Sequence, residues 1–137
     1  MIQIVAGPKG RGKTKLLLDK VNASVNNVPG SIVYLDKSAK HMYELDKKVR
    51  LIDVSEFELA TPEHFIGFIY GILSQDHDLN AIYFDSFIKI SKTTLDTLVD
   101  VIKVFENISK KYNIDFVISL SLEDDEVPEY LKQYIIN

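Results

Sequence analysis

The segment Gly7-Pro8-Lys9-Gly10-Arg11-Gly12-Lys13-Thr14 constrains this chain more than any other, because three of its six glycines fall there. An apolar run, Ile2–Ala6, leads into it. A helical pattern follows from about Lys13 to Val25, with Leu16, Leu17, Val21 and Val25 on one face. Glycines at 7, 10 and 12 permit a turn too tight for residues that carry a Cβ. In such a turn successive backbone N–H groups point inward and form a concave nest for an anion. The helix that follows adds its own unpaired N–H groups and the positive end of its dipole.

The spacing fits G-x-x-x-x-G-K-[ST], and the strand before it and helix after it are the setting that a phosphate-binding loop requires. On this reading Gly7, Pro8, Lys9, Gly10, Arg11, Gly12, Lys13 and Thr14 bind nucleotide. Lys13 places a point charge on the β and γ phosphates, and Thr14 offers a hydroxyl to Mg²⁺, which takes few protein ligands and keeps several waters. Lys9 and Arg11 either contact phosphate or remain solvated. Such a loop needs a carboxylate at the end of a neighbouring apolar strand. Ala81-Ile82-Tyr83-Phe84-Asp85 supplies one, so Asp85 joins Lys13 as a candidate catalytic residue and Thr14 as a metal ligand. Asp36, which ends Val33-Tyr34-Leu35-Asp36, is either a second site carboxylate or a strand-end turn residue. The expected ligand is a purine nucleoside triphosphate, ATP or GTP, because no base-selecting motif is visible.

Short apolar runs alternate with helical patterns along the rest of the chain, the mark of an α/β fold with a mainly parallel sheet. Strands are expected at 2–6, 31–36, 49–54, 80–85 and 115–120. Helices are expected at 13–25, from Thr61-Pro62 to Gln75, and at 93–112, where Leu95, Leu98, Val99, Ile102, Phe105 and Ile108 form the apolar stripe. Residues 39–47 are ambiguous, a short helix held by Met42 and Leu45 being one solution. Residues 128–135 read as a short helix, with an edge strand over 134–136 as the rival. Residues 1–137 form a single domain on this pattern, a three-layer α/β/α sandwich with the five strands ordered 3-2-4-5-1.

Composition narrows the function. With no cysteine, the chain has no disulfide framework, thiolate zinc site or cysteine nucleophile. A net charge of −4 argues against nucleic acid or an anionic membrane surface as partner. The apolar run 65–73 has nine residues where a bilayer span takes about 20. It reads as a buried helix in which Gly67 and Gly71 bring the backbone close to a sheet. Met1-Ile2-Gln3-Ile4-Val5 has no basic segment ahead of a long apolar one, so a cytoplasmic location is expected.

The order of these pieces resembles the RecA/KaiC-like (ASCE) branch of P-loop NTPases. The matching segments are the glycine loop, Val33-Tyr34-Leu35-Asp36-Lys37-Ser38, Val49-Arg50-Leu51-Ile52-Asp53-Val54, Ile82-Tyr83-Phe84-Asp85-Ser86 and Val117-Ile118-Ser119-Leu120-Ser121. The chain is also similar to small bacterial ATP-binding proteins labelled as twitching-motility (PilT-like) ATPases. The resemblance implies Mg-dependent nucleotide binding and hydrolysis. It also exposes a departure: relatives carry a glutamate that polarises the attacking water where this chain has Ser38 or Ser86. Glu56 and Glu58 follow the third strand and read as part of a solvated loop, a substitute for that glutamate being the alternative.

Two functions therefore stand at this level: a weak NTPase stimulated by assembly into a homo-oligomer, or a nucleotide-responsive module whose loops after Asp36 and Asp85 are read by a protein partner. A small-molecule kinase fits less well, because no insertion is long enough for a lid. His41, His64 and His77 lack metal-ligand spacing, and Glu123–Glu126 reads as an exposed acidic loop. Arg50, the only arginine outside the glycine loop, reads as a surface charge on an edge strand; a finger between subunits would have to be Arg50, with Lys89 as a substitute.

Overall fold

Five apolar runs become the strands of one all-parallel sheet in a computed structural model that describes residues 1–137. The strands are β1 (Ile2–Gly7), β2 (Ser31–Asp36), β3 (Val49–Asp53), β4 (Leu79–Phe84) and β5 (Asp115–Ser121). The helices are α1 (Lys13–Ser24), α2 (Pro62–Gln75), the five-residue α3 (Phe87–Ser91) and α4 (Leu95–Tyr112). The order across the sheet is β1-β5-β4-β2-β3, which counted from the β3 edge is 3-2-4-5-1. Thus β5 lies between β1 and β4.

Alternation along the strands divides the core in two. Ile4, Val33, Leu35, Ile82, Phe84, Phe116 and Ile118 meet Phe65, Ile69, Leu98, Ile102 and Phe105 from α2 and α4. On the other face Val5, Ile32, Tyr34, Tyr83 and Val117 meet Leu17, Leu18 and Val21 from α1. The first core is strongly aromatic: the Phe105 ring lies 5.3 Å from Phe116, 5.4 Å from Phe84 and 5.7 Å from Phe87, centre to centre. Burial on both faces is why the central strands read as continuous apolar runs.

Several local expectations need correction. The buried face of α1 carries Leu18, not Leu16, which is 37% exposed, because the helix presents positions 17, 18 and 21 to the sheet, with Val25 buried in the 3₁₀ turn that follows. Gly67 and Gly71 do not bring α2 onto the sheet. Both are exposed, and a Cβ at either would meet nothing within 4 Å. The approach is made by Phe65, Ile69, Ile72 and Leu73 on the opposite face. Residues 42–44 form one 3₁₀ turn, and Met42 is exposed, so it holds nothing in place. The last long helix begins at Leu95 with Thr94 as its cap. Leu95 itself is exposed, and Val101 takes its place in the buried stripe. Both readings of the C-terminus hold in part: Glu129–Tyr134 is 3₁₀, and Ile135 then bridges in parallel to Ile4 at the β1 edge.

Gly30 is the glycine whose lack of a side chain is needed for close approach. A Cβ there would overlap the Asp78 carbonyl oxygen, where the loops entering β2 and β4 cross. No helix is long and apolar enough to cross a membrane.

Candidate functional site

Because every strand runs the same way, Gly7, Asp36, Asp53, Asp85 and Ser121 all emerge along one edge of the sheet. Parallel pairing sets their spacing. Gly7 lies opposite Ser121, Asp36 opposite Asp53, and Leu35 opposite Phe84, so Asp36 and Asp85 leave adjacent strands at the same level. The Asp85 amide donates to the Leu35 carbonyl at 2.9 Å, which carries the pairing one residue beyond β4.

The glycine loop fills the gap between β1 and α1. Gly10 and Gly12 have φ of 87° and 76°, the left-handed region that a side chain disfavours. Gly12 is the residue immediately before α1 and makes no side-chain cap, so the first N–H groups of that helix face the loop. Lys13 is 7% exposed and folds back so that its Nζ donates to the Pro8 carbonyl at 2.9 Å. Burial pulls its pKa down, and the charge of Asp85 acts in the opposite direction. Lys9 and Arg11 are exposed, and neither forms an ion pair.

Asp85 is 3% exposed and fully engaged. Thr14 Oγ1 donates to its Oδ1 at 3.2 Å, and the Tyr34 hydroxyl donates to its Oδ2 at 2.9 Å. Burial, then Asp85, push the Tyr34 phenol far above its ordinary pKa, so it remains a donor. Asp36 is as deeply buried, at 2% exposure, but only half engaged. Its Oδ1 accepts from the Lys37 amide at 2.7 Å, while Oδ2 has no partner. Burial raises the Asp36 pKa, and the neighbouring charge of Asp85 raises it further.

The donor set suits a hard cation that prefers oxygen. Octahedral Mg²⁺ with bonds of 2.0–2.1 Å separates neighbouring ligand oxygens by roughly 2.9 Å. Thr14 Oγ1 and Asp85 Oδ1, 3.2 Å apart, are close to that spacing and could occupy adjacent positions. No group of three or more His, Asp or Glu side chains is placed to hold a metal. The remaining coordination of such an ion would therefore come from outside the chain.

Other candidates lie elsewhere. Arg50 is paired with Asp76 near the start of β3, at the other end of the strands. Glu56 and Glu58 are exposed, and Glu56 lines a groove beside β3 with Met42, Tyr43 and Phe57 rather than the glycine loop. His41 contacts Glu44, and His64 Nδ1 accepts the Ala60 amide. Glu123 and Glu126 close a 3₁₀ turn on themselves.

Sequence reasoning missed Tyr34, the residue that holds Asp85 from the adjacent strand. It also missed α3, which begins directly after Ser86. That serine has a φ of 54°, a left-handed turn that swings the chain out of β4 and sets Asp85 at the rim. No protein-family model matches the chain, and comparison with curated proteins gives no match.

Proposed function

We propose that this chain binds a purine nucleoside triphosphate such as ATP together with Mg²⁺, and hydrolyses it slowly. The observation that carries the reading is the convergence on one sheet edge of the glycine loop, the Lys13 ammonium and the Thr14–Asp85 pair. A nest of amides at a helix start suits the β-phosphate, and Lys13 can turn from the Pro8 carbonyl to the β and γ oxygens. Thr14 and Asp85 would hold Mg²⁺ at adjacent positions through Oγ1 and Oδ1. Bound there, the ion would neutralise charge on the β and γ phosphates. Membership of the P-loop NTPases, on the RecA/KaiC-like side, belongs to the same reading. It is supported by β5 separating the Asp85 strand from the glycine-loop strand.

Slow turnover follows from what stands beside the phosphates. Phosphoryl transfer depends almost wholly on positioning and charge stabilisation. Ser38 and Ser86 offer no carboxylate to align water, and Asp36 is buried. The same observation favours a second reading, a nucleotide-dependent switch in which the loops after Asp36 and Asp85 meet a protein partner. A cytoplasmic setting accords with either.

Calorimetric titration with MgATP and MgGTP tests binding. Wild type should bind, and Lys13→Ala should lose affinity sharply while its circular dichroism is unchanged. Equal affinity in the two proteins would remove Lys13, and with it the phosphate-loop reading.

A further inference from the structure

Beyond the glycine loop the same sheet edge opens into a cavity of about 240 Å³. Its lining comes from four separate segments: Lys9 from the glycine loop, Lys37 after β2, Ser86 with Ile88 and Lys89 of α3, and Ser121 at the end of β5. Three of these six residues are lysines, and none of the three forms an ion pair with a carboxylate. A neighbouring cavity of about 210 Å³ shares Lys37 and Lys89 and adds Lys92. Unpaired cations concentrated here are unexpected in a chain of net charge −4, since like charges brought together repel unless an anion joins them.

We propose that this cavity receives the γ-phosphate, and that Lys37 and Lys89, assisted by Lys9, make the site selective for triphosphate over diphosphate. The inference rests on the nucleotide-binding reading above and adds to it the residues that sense the third phosphate. Geometry supports the placement. The β-phosphate nest lies at residues 7–14, while Lys37 and Lys89 lie one and four residues past the strand-end carboxylates Asp36 and Asp85. A γ-phosphate leaving the nest toward Asp85 enters a space that offers lysine ammonium groups and the hydroxyls of Ser86 and Ser121. No carboxylate lines it.

The arrangement also gives a switch its mechanism. Lys37, in the loop after β2, and Lys89, on α3 after β4, would be drawn together on one triphosphate and released when the diphosphate remains. Both segments belong to this chain, so no finger from a second subunit is required for recognition.

The test is a calorimetric comparison of MgATP with MgADP on wild type, Lys37→Met, Lys89→Met and the double variant. Methionine retains an unbranched apolar stem. Lys48→Met, at the far end of β3, is the control. Wild type should prefer ATP, each single variant should lose about tenfold in ATP affinity with ADP affinity unchanged, and the double variant should lose the preference. Parallel losses for both nucleotides, or unchanged ATP affinity in the double variant, would overturn the inference while leaving the phosphate loop intact. Failure of wild type to bind either nucleotide would overturn the phosphate-loop reading and this inference with it.

Discussion

Tyr34→Phe isolates the contact that holds the Asp85 carboxylate. Tyr34 is 0% exposed and Asp85 3%, and the hydroxyl donates to Oδ2 at 2.9 Å. Phenylalanine retains the ring and its stacking on Tyr83, whose centre is 6.2 Å away, so packing is almost untouched. What is lost is one hydrogen bond to a buried carboxylate, worth about 1.5–3 kcal/mol. With a urea m-value of about 2 kcal/mol/M, the unfolding midpoint should fall by about 1 M at constant m. Far-UV circular dichroism during urea titration reads this directly. Asp85→Asn alone and combined with Tyr34→Phe completes a cycle, which should show a coupling of about 1 kcal/mol or more. A Tyr34→Phe midpoint equal to wild type, with no coupling in the cycle, would mean that the phenol does not hold the carboxylate.

Two further outcomes are expected. Asp36 has a folded-state pKa raised by burial and by Asp85, so its contribution to stability is fully present below its unfolded pKa near 3.8 and is lost as pH rises through the folded value. Asp36→Asn should therefore stabilise the protein at pH 7 in thermal or urea unfolding, with the gain fading toward pH 4 and below; a gain independent of pH would contradict this. In a phosphate-release assay the isolated chain should complete about one turnover per minute or fewer, given Ser38 and Ser86. Turnover of about once per second that vanishes in Lys13→Ala would show that a water-positioning group exists, and Asp36 would be the first to substitute.

The parts legible in the sequence were those fixed by local spacing. The tight turn at Gly7–Thr14 was legible because its glycines sit between an apolar run and a helical pattern, and it does join β1 to α1. Asp85 stood out as an acid closing an apolar run. Tyr34 was hidden because a tyrosine in a strand looks like any β-forming aromatic, and its hydroxyl finds a partner only once β2 and β4 are paired. Lys37 was equally opaque, and Lys89 stood out only as a stand-in for a finger between subunits, not as a partner of Lys37. They are 52 positions apart and meet only through the sheet order. Gly67 and Gly71 misled for the opposite reason, since their spacing suggests close packing while the larger residues around them face the core. Leu16 and Leu18 flank Leu17 on opposite sides, about 200° apart around the helix, and because both are leucine the composition does not say which flank faces the sheet.

The central claim is that the nest between β1 and α1 receives phosphate. Backbone amide NMR during titration with MgATP measures it most directly, because each amide reports its own position. The account predicts the largest shifts at the amides of Gly10, Arg11, Gly12, Lys13 and Thr14, with Lys37 and Ser86 next and Tyr43 and Phe57 unmoved. Shifts centred on the groove beside β3, with residues 10–14 unchanged at saturating nucleotide, would contradict it.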